Sequence, residues 1–270
     1  MYTAIIFVLL AVAALIFLNG LKSKNRIKIF FGLLIAVLTL GFFSFMGFWG
    51  EALWFDALGF KDRFWLEITY SIVYAIVGAV VAFGSLYLLT IFLPKSSKYV
   101  KWIAVIIGTF LGGTWGYTNW DVVMKFWDKV PPTMFDPIFG MSIEFYLFTL
   151  PLLDALYVLL FTITFLALAA SVIAAFVRLS PVGLAFYLPP YGSESTKKLH
   201  TSLYLNSSIF LLVLAFGKFL DKYHLMYSSS GVVYGPGWSD THILIPAYNI
   251  IIVFMILASI LIIIPYLRNW

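Results

Sequence analysis

The sequence predicts an all-α fold: a polytopic membrane bundle of seven transmembrane helices, with short interfacial helices on the outer face. Three observations carry this expectation. Seven long apolar runs hold no charge at mid-depth, the loops between them alternate in charge, and the loops of one face are aromatic and helically periodic. A composition of 63% hydrophobic and 11% charged residues lies far from that of soluble globular proteins.

A helix needs roughly 20 predominantly apolar residues to cross about 30 Å of hydrocarbon. Tyr2–Leu21 meets this. It has no basic segment before it and positive charges after it, the reverse of a secretory signal, so it is expected to remain as a span. Ile29–Gly50 is the second run and Ile68–Leu93 the third. Between them Trp49–Trp65, which includes Trp54, reads as a short interfacial helix of modest regularity. The fourth run, Trp102–Trp120, carries Gly108, Gly112 and Gly116 at four-residue spacing, with Gly113 beside them. Three missing side chains on one helical face let another backbone approach closely.

Beyond it Trp120, Val123, Met124 and Trp127 recur at i, i+3, i+4 and i+7, while Asp121, Lys125, Asp128 and Lys129 point away. That pattern predicts a second interfacial helix, its indoles at headgroup depth or against a partner. Asp136, Pro137 and Gly140 spell a turn, and Ile143–Leu150 leads through Pro151 into the fifth run, Ala155–Val177. The sixth run, Thr201–Gly217, is short and draws on the snorkelling stem of Lys218. Ser228–Gly231 and Tyr234–Trp238 are turn-rich, and Asp240 is placed to cap the seventh run, Ile243–Leu267, by accepting from amides two or three residues on. No internal repeat and no linker interrupt the chain, so residues 1–270 read as one membrane domain.

Basic residues set the orientation. Lys22, Lys24, Arg26, Lys28, Lys95, Lys98, Lys101, Arg178, Lys197, Lys198 and Arg268 fall on one face, with a single acid, Glu194. The other face holds six basic residues and eleven acids. The excess of Lys and Arg marks the cytoplasmic side, which puts the N-terminus outside and the C-terminus inside. These basic residues are short juxtamembrane clusters, so the net charge of +5 signals topology and anionic lipid, not nucleic acid. The absence of cysteine removes disulfides, thiolate metal sites and cysteine nucleophiles.

Three segments carry a resemblance. WGEALWFDALGFKDRFW at Trp49–Trp65, DPIFGMSIEFYLFTLP at Asp136–Pro151 and LDKYHLMYSSSGVVYGPGWSDTHILIPAYNI at Leu220–Ile250 resemble, in that order, the membrane part of Uncharacterised Protein Family 0182. The likeness covers about residues 45 to 265. It implies a prokaryotic membrane location and seven spans, and a chain shorter than family members that continue into a large water-soluble region. It implies no reaction and no catalytic residues.

One constellation on the outer face has ligand chemistry. Asp221, His224, Asp240 and His242 supply two carboxylates and two imidazoles, enough for zinc or another divalent ion, and an open position there would activate water. The competing reading makes them hydrogen-bonding loop residues. No dense metal motif is present, and no cofactor is otherwise expected. The spans lack Asp, Glu, Lys, Arg and His at mid-depth, which disfavours coupled transport but leaves a passive pore open. Ser171, Ser207 and Ser208 have no neighbouring base and read as helix-to-helix hydrogen-bonding residues. The balance leans against an enzyme. The expected role is a scaffold or accessory subunit in a larger prokaryotic cell-membrane assembly, with the lipid bilayer and other membrane subunits or further copies of the chain as partners.

Overall fold

The computed structural model describes residues 2–132, 134–180, 183–186, 194–229 and 234–268. The fold is helical: α1 (Tyr2–Lys22), α2 (Arg26–Ala57), α3 (Lys61–Leu89), α4 (Lys98–Trp127), α5 (Leu150–Phe176), α6 (Glu194–His224) and α7 (Ile245–Arg268). Short π-helical turns, Phe145–Thr149 and Asp240–Leu244, precede α5 and α7. Between α5 and α6 an antiparallel pair of four-residue strands, β1 (Val177–Ser180) and β2 (Gly183–Phe186), joins Val177 to Phe186 and Ser180 to Gly183. Among the described residues, six helical segments are long and apolar enough to cross a membrane, and they belong to every named helix except α4.

The chain divides into two compact units, Met1–Thr69 and Tyr70–Trp270. In the first, α1 and α2 form an antiparallel hairpin. A Cβ on Gly20 would lie 2.7 Å from the Ile29 amide nitrogen, and one on Gly32 would lie 2.7 Å from that of Phe17, so only glycine permits this approach. Helix α1 stops in a Schellman turn: the Asn25 amide donates to Gly20 O and the Lys24 amide to Leu21 O, with Lys24 at φ 51°. Asn25 then caps α2, its Oδ1 accepting from the amides of Ile27 and Lys28. Helix α2 ends the same way, with Gly59 at φ 78° and the Phe60 amide donating to Phe55 O.

The Trp49–Trp65 segment is therefore not an interfacial helix. It is the end of α2, a tight turn and the start of α3, knit together by Phe48, Phe55, Phe64 and Trp65, whose rings lie 5.5 to 6.3 Å apart. Trp54 is exposed, edge-to-face with Phe55.

In the second unit α4 lies between α3 and α5. Ala82, Leu86, Val105, Leu159, Ile163 and Ala167 form one buried cluster across the three helices, and Leu93, Val100, Ala104 and Ala170 form another. The predicted glycine face is the contact with α3. A Cβ on Gly116 would fall on the Tyr74 carbonyl, and one on Gly112 would lie 2.5 Å from Gly78 O. Gly108 receives the Leu86 side chain, and Gly113 faces Ala75 and Ala79 at ordinary contact distance.

The expected separate helix Trp120–Lys129 is a correction too, because α4 runs unbroken to Trp127. Its periodicity belongs to the last turns of a long helix. Trp120 is 9% exposed, Val123 and Met124 are half-buried with Met124 Sδ accepting from the Tyr74 hydroxyl at 3.7 Å, and Trp127 is 72% exposed.

Serines tie the remaining helices. Ser171 and Ser202 bond across α5 and α6 at 2.8 Å, and Ser208 and Ser259 bond across α6 and α7 at 2.8 Å. Hydroxyl pairs of this kind tie neighbouring apolar helices together.

Candidate functional site

The segment between α4 and α5 is organised by one carboxylate. Asp136 Oδ1 accepts from the amides of Ile138 at 2.8 Å and Phe139 at 2.6 Å. Oδ2 accepts from the Met141 amide and the Tyr146 hydroxyl, each at 2.8 Å. Pro137 fixes φ beside it, and Gly140 at φ 67° lets the chain return so that the Asp136 amide reaches Met141 O. Partial burial pushes the Asp136 carboxyl up, but the bonds from Phe139, Tyr146, Ile138 and Met141 outweigh it and hold the group below the usual carboxylate range. With all its bonding directions committed, this carboxylate fixes a loop and is no free base.

Helix entry follows from the same loop. Ser142 accepts from the Phe145 amide with both its carbonyl and its hydroxyl, the side-chain bond being an N-cap. The π-helical turn then sends the Leu150 amide back to Phe145 O. Pro151 has no N–H, so the Tyr146 carbonyl loses its donor within the helix. The Tyr227 hydroxyl takes that place at 2.7 Å and ties the end of α6 to the start of α5. The rings of Phe139, Phe145 and Tyr223 pack at 5.0 Å over Leu150 and Leu220. Outside them opens an apolar groove of about 770 Å³ lined by residues including Met134, Phe135, Ile143, Leu147, Met226 and Tyr227.

The α7 entry repeats the device. The Thr241 amide donates to Gly237 O, and Asp240 Oδ2 accepts from the Gly237 amide at 2.8 Å. Asp240 thus caps, but by reaching three residues back, the reciprocal half of a capping box. The expected turn Ser228–Gly231 lies partly outside the described residues. Within its described part the Ser228 amide donates to Leu225 O.

The four metal-ligand candidates are placed as follows. Asp221 pairs with Lys218 at 2.7 Å, His224 Nε2 meets Asp154 at 2.9 Å, Asp240 holds the Gly237 amide, and His242 stacks on Trp238 at 4.5 Å with Nδ1 3.0 Å from Trp238 O. Among the described residues no three His, Cys, Asp or Glu are grouped as metal ligands. The His224–Asp154 pair was not foreseen, because it joins residues 70 positions apart. Asp154 also lines a small cleft of about 320 Å³ with Trp115, whose indole N–H donates to Ala155 O at 2.6 Å.

A second polar centre lies buried where α3, α5 and α6 meet. Asn206, 1% exposed, reaches Leu89 O, Ala167 O, Ser171 Oγ and Ser202 Oγ. Leu89 is the last residue of α3, and Asn206 covers its carbonyl from another helix. The signal was present in the sequence as an amide within an apolar run.

The model of one family, described as Uncharacterised protein family (UPF0182), matches residues 27–270. The chain belongs to that family. Among curated relatives, a UPF0182 protein of Methanospirillum hungatei is 27% identical over 247 residues, covering 84% of this chain and 28% of the relative. One from Clostridium botulinum strain Langeland is 25% identical over 267 residues, covering 88% and 29%. One from Pelobacter propionicus is 30% identical over 174 residues, covering 62% and 18%. The chain therefore spans less than a third of the length of these UPF0182 relatives. No solved structure matches it. The three motifs that resemble UPF0182 are the α2–α3 turn, the Asp136 loop with its π-helical entry, and the α6–α7 connection.

Proposed function

We propose that this UPF0182 chain is the membrane-embedded part of a scaffold, or an accessory subunit, in a prokaryotic cell-membrane assembly, with seven crossing helices, the N-terminus outside and the C-terminus cytoplasmic. The observation that carries the scaffold reading is the end of the second unit built around Asp136. Its polar groups are spent internally, as Asp136 on three amides and Tyr146, and Tyr227 on the Tyr146 carbonyl. What it presents outward is an open apolar groove with Met134, Phe135 and Leu147 exposed. A rigid loop bearing such a groove suits an apolar segment of a partner subunit.

Helix α4 as a seventh span has its own support. At 30 residues and 1.5 Å each it is about 45 Å long, ample for the bilayer. Its glycines face α3, while Ile103, Ile106, Phe110 and Tyr117 form an exposed apolar stripe of the kind lipid would cover. Its modest hydropathy reflects the face turned to protein.

Mild-detergent purification from the native source tests the role, with mass spectrometry of co-migrating chains and elemental analysis of the same peak. Stoichiometric partner chains without metal are expected. A lone protein carrying about one metal per chain would overturn the scaffold and return attention to Asp221, His224, Asp240 and His242. Cysteine-accessibility labelling suits this cysteine-free background for the topology. A cysteine at Lys24 that reacts from outside intact cells inverts the orientation, and labels at Lys95 and Val130 that report the same side remove α4 as a span.

A further inference from the structure

The small cleft between α4 and α5 offers acceptors without donors. Trp115 and Asn119, one turn apart on α4, and Pro151, Asp154, Ala155 and Val158, on one face of α5, line its volume of about 320 Å³. The Trp115 indole N–H is spent on Ala155 O at 2.6 Å. Asn119 Nδ2 spends both its hydrogens, on Trp115 O at 2.8 Å and on Thr118 Oγ1 at 3.1 Å. Turning that amide over would set Oδ1 against the Trp115 carbonyl, so its bonds fix its orientation. Pro151 has no N–H, and the amides of Asp154, Ala155 and Val158 lie within α5, where helix bonds occupy them. Two oxygens remain. Asp154 Oδ1 meets His224 Nε2 at 2.9 Å, while Asp154 Oδ2 and Asn119 Oδ1 take no hydrogen bond among the described residues. With its side chain 36% exposed, Asp154 is open to a ligand arriving from outside.

We propose that this cleft binds a primary ammonium group, the charged end of an aminoalkyl ligand such as an ethanolamine headgroup or a small free amine. An anionic ligand would need donors, and the side chains of the cleft have none to give. A divalent ion would need several oxygen ligands, whereas among the described residues no three His, Cys, Asp or Glu are grouped to hold one. An ammonium group brings three donors on a compact positive charge. Asp154 Oδ2 takes one of them in a charge-assisted bond, Asn119 Oδ1 takes another, and water the third. The Trp115 ring in the same lining adds cation–π attraction. A quaternary ammonium would keep the ring and the charge but would have no donor for either oxygen. The volume is at the small end of ligand pockets, which span about 300–1,000 Å³, and suits a short amine with its first methylenes against Pro151 and Val158. On the proposed orientation Asp154, in the first turns of α5, lies at the outer end of the helix, at headgroup depth. The site is separate from the apolar groove and does not depend on a partner there.

Thermal unfolding of the detergent-purified protein, followed by tryptophan fluorescence, tests this in equal concentrations of ethylammonium, tetramethylammonium and sodium chloride. A parallel series uses micelles doped with phosphatidylethanolamine or with phosphatidylcholine of the same acyl chains. A bound ligand raises the midpoint as RT ln(1 + [L]/Kd), roughly 4 °C at a tenfold excess over the dissociation constant. Such a rise is expected for the primary amine over its methylated counterpart in at least one series. A rise with ethylammonium alone assigns the site to a soluble amine, and a rise with phosphatidylethanolamine, with or without the other, assigns it to lipid. Asp154→Asn keeps the shape of the side chain and removes its charge, and should cut the rise to less than a third. Asn119→Asp puts a second carboxylate in the lining and should enlarge the rise, which gives a reading should D154N fail to fold. Equal midpoints for methylated and unmethylated ligands in both series, an undiminished rise in folded D154N, or no enlargement in folded N119D would overturn the site.

Discussion

Replacing Asp136 by asparagine isolates what its charge and second oxygen contribute. The amide oxygen of the variant still accepts from Ile138 and Phe139, but its NH2 group cannot accept from the Met141 amide or the Tyr146 hydroxyl. Two charge-assisted bonds are lost and two donors face a donor. At about 1.5 kcal/mol for each bond in this partly exposed loop, the local cost is about 3 kcal/mol. With 1.4 kcal/mol per factor of ten, protection of the loop amides falls about a hundredfold. Hydrogen exchange with mass spectrometry, on peptides covering residues 134–143, reads this directly.

The pH dependence has a definite sign. The folded carboxyl is held below its ordinary value, so its contribution is fully present above the unfolded pKa of about 3.9 and is lost as pH falls through the lower folded value. The gap between wild type and D136N should therefore persist at neutral pH and close only in strong acid. Exchange in D136N within threefold of wild type at neutral pH would refute the view of Asp136 as the organiser of this loop.

Two further outcomes check other contacts. Gly116→Ala drives a methyl into the Tyr74 carbonyl and should cost about 1–3 kcal/mol or more, while Gly84→Ala in α3, with open space around its Cβ, should gain about 0.5–1 kcal/mol. Opposite shifts of the thermal midpoint in detergent are expected, and equal shifts would remove the close-packed interface. Tyr227→Phe leaves the Tyr146 carbonyl without its hydroxyl donor and should lower the midpoint by about 2–4 °C. An unchanged midpoint would show that the carbonyl is satisfied in another way.

The glycines of α4 were legible because a four-residue spacing of absent side chains has one geometric meaning on a helix, and α3 meets that face. The same periodicity misled at Trp120–Trp127 and Trp49–Trp65. A ten-residue amphipathic pattern does not distinguish a free helix from the closing turns of a 30-residue one, and both segments are continuous with long helices. Asp136 as a turn residue was readable from Asp-Pro and Gly140, but its bond to Tyr146 was not, since a partner ten positions away leaves no local signal. The π-helical entries and the pairings His224–Asp154 and Asn206–Leu89 depend on how three helices meet. Asp240 was recognised as a cap, though the amide it serves lies behind it.

Helix α4 also bears on how such a chain is made. A segment that turns three glycines and buried Trp120 toward its neighbours has less to gain from lipid alone than the six more apolar helices. During synthesis it emerges after α3 and before α5, the two helices that cover it. On the proposed seven-span reading, the passage of α4 across the bilayer is a cooperative event: the Gly78 face of α3 stays unfilled until α4 arrives, and α5 completes the retention. Biogenesis would be most fragile in that interval, when a ribosome stalled short of α5 leaves a half-covered helix able to slip back out.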